Sequence, residues 1–86
     1  MKIKQLRWMD YNIMGNGVIA SSIDCIHDKY YQLTKLSDIE YLVECKHTDV
    51  TVGETYFCRY ADSMTDAILK AQEHFEHLVK CYYLEN

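Results

Sequence analysis

The sequence predicts an α+β domain: an antiparallel sheet of four or five strands with one long C-terminal helix packed on one face. Three observations carry this. First, Met64, Ile68, Ala71, Phe75, Leu78 and Tyr82 recur at spacings of four, three, four, three and four, which places them on one stripe of a helix. Second, the residues before Asp62 fall into short segments rich in β-branched and aromatic side chains. Third, Ile39, Tyr41, Val43 and Cys45 alternate with Glu40, Leu42, Glu44 and Lys46, nearly the period of two of a half-buried strand.

In chain order, Ile3–Met9 reads as a first strand, with Leu6 and Trp8 sharing a face. Asn12–Gly17 is a turn, because Gly and Asn tolerate positive φ. Val18–Ile23 is a second strand, in which Ala20 fits against a helix. Asp24–Lys29 is a polar connection. Tyr30–Thr34 is a third strand, with Tyr31 and Leu33 inward, and Lys35–Asp38 turns the chain. The alternating segment from Ile39 is the fourth strand. Val50–Tyr60 is the fifth, interrupted at Gly53 by a bulge or break. Tyr56, Cys58 and Tyr60 are expected inward there, with Phe57 pointing away. Short connections between successive strands imply an antiparallel meander.

The helix opens at Ser63, an N-cap residue, and Asp66 three residues later completes a variant of the capping box. Asp66 also suits the positive end of the helix dipole. Residues 1–86 are read as one domain, with the meander over 1–61 and the helix over 62–83. A chain of this length buries only about 60–65% of its unfolded surface, so the core is thin. Hydrophobic residues make up 49% of it, which argues against disorder.

The net charge is −4, and the acidic residues are dispersed. That disfavours a nucleic-acid backbone binder, which needs a basic stripe. Lys2, Lys4 and Arg7 beside Trp8 form the local exception, and solvated strand residues are the plainer reading of them. No apolar core segment lies in Met1–Asp10, and no stretch is long enough to span a bilayer. A cytoplasmic location is therefore expected, with no membrane partner and with Cys25, Cys45, Cys58 and Cys81 reduced.

Several landmarks together resemble a group of small phage- and prophage-encoded proteins. These are Trp8 in an early strand, Ala20-Ser21, the segment Asp28–Leu33, the aromatic strand end at Tyr60, and Ser63 followed by Ala67–Phe75 with His74 before its aromatic. In that group a β-meander with an early Trp precedes a helix of the type Ser-x-x-x-Ala-x-x-x-Ala-x-x-His-aromatic. The resemblance implies a phage or mobile-element origin. It carries over no activity and no functional residue. The Ile39–Thr55 section and the four cysteines depart from it.

No catalytic motif is present, and a non-enzymatic role without a cofactor is expected. His74, His77 and Cys81 lie on one helical flank, an alternative reading as a zinc-binding module. The plainer reading is a helix edge covering the sheet rim. Cys25 and His27 would share a face of an extended segment, but nothing there would orient them as a nucleophile and base. Cys45 and Cys58 are expected to be small core residues. The carboxylate pairs Glu73–Glu76 and Glu40–Glu44 read as solubilising surface.

The favoured function is an accessory protein that binds another protein. The partner would be a host factor, for example a defence enzyme such as a CRISPR effector in the manner of anti-CRISPR proteins, or a second copy of the chain. The contact surface expected is Tyr30, Leu42 and Phe57 on the sheet face opposite the helix. A nucleic-acid-binding sheet with aromatic platforms is the further alternative.

Overall fold

The computed structural model describes residues 3–11, 17–24 and 26–81. It shows the expected α+β architecture. Five strands, β1 (Trp8–Asp10), β2 (Gly17–Ser22), β3 (Lys29–Ser37), β4 (Glu40–His47) and β5 (Thr55–Ala61), precede one helix, α1 (Met64–Val79). The sheet is an antiparallel meander in the order β1-β2-β3-β4-β5. Among the described residues no helix is long and apolar enough to cross a membrane.

The first strand is shorter than expected. Ile3–Arg7 approaches it in non-strand conformation; the Arg7 carbonyl accepts from the Ile23 N–H at 2.8 Å, but two of the segment's N–H groups go to side chains. The Leu6 N–H donates to Gln72 Oε1 at 2.8 Å and the Arg7 N–H to Asp24 Oδ2 at 2.8 Å. Leu6 is buried and Trp8 half-buried, and both line one cleft against α1, as their shared face predicts. The Asn12–Gly17 turn lies outside the described residues except for Gly17.

Between β2 and β3 the chain reverses through His27 and Asp28, at φ 49° and 61°, closed by an Ile26–Lys29 bridge. Two consecutive left-handed residues are what a two-residue hairpin turn requires. The third strand runs on to Ser37, so the turn into β4 is only Asp38-Ile39. Ile39 is therefore a turn residue, 78% exposed, and not the first inward residue of β4. Gly53, at φ 68°, sits in the turn before β5 rather than inside the strand.

Ser63 caps the helix, its Oγ accepting from the Asp66 N–H at 3.0 Å. Asp66 also pairs with Lys70 one turn on. The buried line of α1 is Ala67, Ala71 and Phe75, spaced by four. Met64, Ile68 and Leu78 flank that line, half-buried, and Tyr82 lies outside the described residues. Two alanines at the centre let the helix lie close over the sheet, above Leu33, Val43 and Cys45, each fully buried. Tyr31 completes this centre, also with no exposed surface.

Candidate functional site

Register settles which side chains share a face, because directly opposed residues point the same way. Tyr31 opposes Cys45, Cys45 opposes Phe57, and Val43 opposes Arg59. Phe57, Arg59 and Ala61 are thus on the helix side. Leu42 opposes Tyr60 and Glu44 opposes Cys58, so Cys58 and Tyr60 point to the far side. This inverts the parity expected for β5. Cys58 is exposed and not core, and Tyr60 is 63% exposed.

The register of β5 also shifts between Cys45 and Lys46, which leaves Tyr56 as an extra, bulged residue. Its ring lies 4.7 Å from Lys29 Nζ, a cation–π contact. Phe57 is stacked on His74 of α1, with centroids 4.2 Å apart and planes at 26°.

Tyr30, Leu42 and Phe57 therefore do not form one patch. Phe57 is on the opposite face from the other two. Tyr30 opposes Lys46 and Leu42 opposes Thr34, so Tyr30 and Leu42 sit four β4 positions apart, roughly 13 Å. The polar pair Gln32–Glu44 lies between them. Leu42 belongs instead to a row across the far face with Val18, Thr34 and Tyr60.

The His74, His77 and Cys81 flank is occupied by protein contacts. His74 Nδ1 lies 2.7 Å from the Tyr31 hydroxyl, and Cys81 Sγ lies 3.6 Å from His77 Nε2. The imidazole centroids of His74 and His77 are 6.4 Å apart. No group of three or more His, Cys, Asp or Glu among the described residues is arranged to hold a metal ion.

Burial, with His77 and Arg59 nearby, lowers the His74 pKa and favours the neutral imidazole beside the Tyr31 hydroxyl. Burial raises the Tyr31 hydroxyl beyond its ordinary range, with the Cys45 thiol contributing. The Cys45 thiol itself is pushed up to about 11 by burial. A thiol held protonated at neutral pH is a packing group and not an activated nucleophile. Cys25 lies outside the described residues, so its relation to His27 is not part of the described structure.

At the N-terminus, Asp24 gathers the basic residues. Arg7 Nη2 lies 2.8 Å and Lys4 Nζ 3.2 Å from Asp24 Oδ1. Hydrogen bonding from Arg7 holds the Asp24 carboxyl well below the usual carboxylate range. Two of the three clustered cations thus have an internal anion.

What remains is the edge of the sheet. β5 is an edge strand of seven residues, and all but Phe57 and Ala61 are exposed. The His47 N–H donates to the Glu54 carbonyl at 3.4 Å, which makes Lys46 and Thr55 a pair of the non-hydrogen-bonded type. Alternation along β4 then turns the backbone of Phe57, Arg59 and Ala61 toward β4, and that of Cys58 and Tyr60 toward the free edge. Arg59 agrees with this. Its Nη1 donates to the Cys58 carbonyl at 2.7 Å, while its guanidinium lies 5.0 Å from the Phe57 centroid.

Between this edge and α1 runs a shallow cleft of about 290 Å³ lined by Phe57, Arg59, Lys70, Glu73 and His74. Sequence reasoning passed over this edge. Its available signals were Ala61, small enough to sit under a helix start, and the position of the last strand in a meander, which is an edge by construction. No family model, curated protein or solved structure matches the chain.

Proposed function

We propose that this chain is a small accessory protein that acts by binding another polypeptide, which adds as an extended segment to the outer edge of β5. The observation that supports it is the outward backbone of Cys58 and Tyr60 on a seven-residue edge strand. Outward N–H and C=O groups on an edge strand are a template for a further strand, and the Cys58 carbonyl is held meanwhile by Arg59. The cleft between β5 and α1 receives alternate side chains of the incoming segment, and its Phe57 platform and charged rim supply selectivity.

The resemblance to phage-encoded proteins gives a host protein as one partner class, with a host defence factor such as a CRISPR effector as the concrete version, and a second copy of the chain is the other. Net charge, and the pairing of Lys4 and Arg7 with Asp24, favour a protein partner over nucleic acid.

The test is capture from cell extract on immobilised protein, comparing the parent with Tyr60→Pro. Proline at this position removes an outward N–H and no bond to β4. A polypeptide retained by the parent and lost by a folded Tyr60→Pro supports the edge as the binding surface. Equal retention by both contradicts it.

A further inference from the structure

Resting on that reading of the edge, we infer that the segment β5 receives is β5 of a second copy, paired antiparallel about a twofold axis at Cys58. The argument starts from the register such an axis imposes. With Cys58 opposite Cys58 of the second copy, Phe57 falls opposite Arg59, that pair occurs twice, and regular pairing stops at the Tyr56 bulge.

A twofold interface requires a surface that complements itself. This strand does so at Cys58, Phe57 and Arg59. Cys58 has its N–H and C=O outward, so the two copies exchange a pair of hydrogen bonds at the axis. Forming them releases the Arg59 guanidinium from its own Cys58 carbonyl, 2.7 Å away. The freed cation faces the Phe57 ring of the second copy. Within one chain Arg59 already takes that kind of partner, lying 5.0 Å from its own Phe57 centroid.

The cleft beside the strand is self-complementary too. It carries Arg59 and Lys70 together with Glu73, both signs of charge on the surface that a twofold would repeat. The other edge of the sheet offers no equivalent. β1 has only three residues, against seven in β5. The bulge at Tyr56 and the Arg59 contact mark where the pairing ends and what must move to form it. The product is a continuous ten-stranded sheet with both helices on one side.

Cys58 reports on this directly. Opposed residues of a hydrogen-bonded antiparallel pair have Cα atoms about 5.5 Å apart, inside the range a disulfide spans. The experiment uses the full chain with Cys25→Ser and Cys81→Ser, so that Cys58 is the exposed thiol and Cys45 is buried. Sedimentation over a wide concentration range should show a monomer–dimer equilibrium. Copper–phenanthroline oxidation should then trap a disulfide-linked dimer through Cys58.

Cys58→Lys places two ammonium groups side by side at the axis and should weaken association at least about tenfold. Because position 58 is exposed, its unfolding temperature should match the parent's where both are dilute monomers. A chain that stays monomeric at every concentration overturns the inference, as does a dimer that survives Cys58→Lys. If the chain is monomeric yet Tyr60→Pro still abolishes capture from extract, only the identity of the partner falls. If neither property depends on the edge, the edge reading falls with it.

Discussion

The Tyr31 hydroxyl and Nδ1 of His74 are 2.7 Å apart, joining the fully buried centre of the sheet to the helix. The two rings meet edge-on at 81°, and Phe57 stacks on the other imidazole contact surface. Burial favours the neutral imidazole, and its tautomer sets which of the two atoms donates. The bond fixes the helix flank against β3 and holds Phe57, one wall of the β5 cleft, in place.

Removing the hydroxyl tests that role. Tyr31→Phe preserves the buried ring and leaves His74 Nδ1 without its partner. The expected loss is about 1–3 kcal/mol, the cost of an unsatisfied buried polar atom. Urea denaturation of the two proteins measures it, and an unchanged midpoint would show that the bond does not stabilise the fold.

The same pair sets a pH dependence. The folded-state pKa of His74 lies below its ordinary value of 6.5. Between those two values the unfolded chain binds more protons than the folded one, so stability rises with pH. The stabilising contribution is fully present above about 6.5 and is lost as pH falls through the folded value. His74→Gln should flatten this part of the profile relative to the parent, in which His27, His47 and His77 remain. A parallel profile for both proteins would place the proton elsewhere.

The helix stripe carries much of the core. Phe75 is 6% exposed, and Phe75→Ala should cost about 3–5 kcal/mol, enough to unfold a domain this small. Ser63→Ala, which removes only the cap to Asp66, should cost about 1 kcal/mol. Thermal melts that rank the two in the opposite order would contradict the packing described.

Cysteine labelling separates the faces of the sheet. Cys58 and Cys81 are exposed and should alkylate quickly under native conditions, whereas Cys45, buried with its thiol pushed up to about 11, should react only on unfolding. Slow labelling of Cys58 in dilute monomer would restore the inward parity first expected for β5. Slowing of Cys58 alone at high concentration is the outcome that pairing across β5 produces.

The contrast between β4 and β5 explains how far the sequence could be read. In β4, Val43 and Cys45 are apolar and inward while Glu44 and Lys46 are polar, so one parity stands out. In β5 both parities are aromatic: Phe57 lies between Tyr56 and Tyr60, and Arg59 lies inward beside the helix. Alternation carries no preference there, and the bulge at Tyr56 breaks it in any case. The Ser63 cap and the helix were legible because spacing and capping are local. The Tyr31–His74 bond and the Lys4–Arg7–Asp24 cluster join residues far apart in the chain, and no local pattern announces them. The candidate site suffered most, since it depends on the one strand whose face was ambiguous.

Amide hydrogen exchange at Cys58 and Tyr60 tests the central claim most directly. Their N–H groups point to the free edge, whereas those of Arg59 and Ala61 point toward β4. In dilute protein the account predicts fast exchange at Cys58 and Tyr60 beside slow exchange at Arg59 and Ala61. As the chain associates, the first two should slow together. Protection of Cys58 and Tyr60 already present in dilute monomer, or fast exchange that association leaves unchanged, would contradict it.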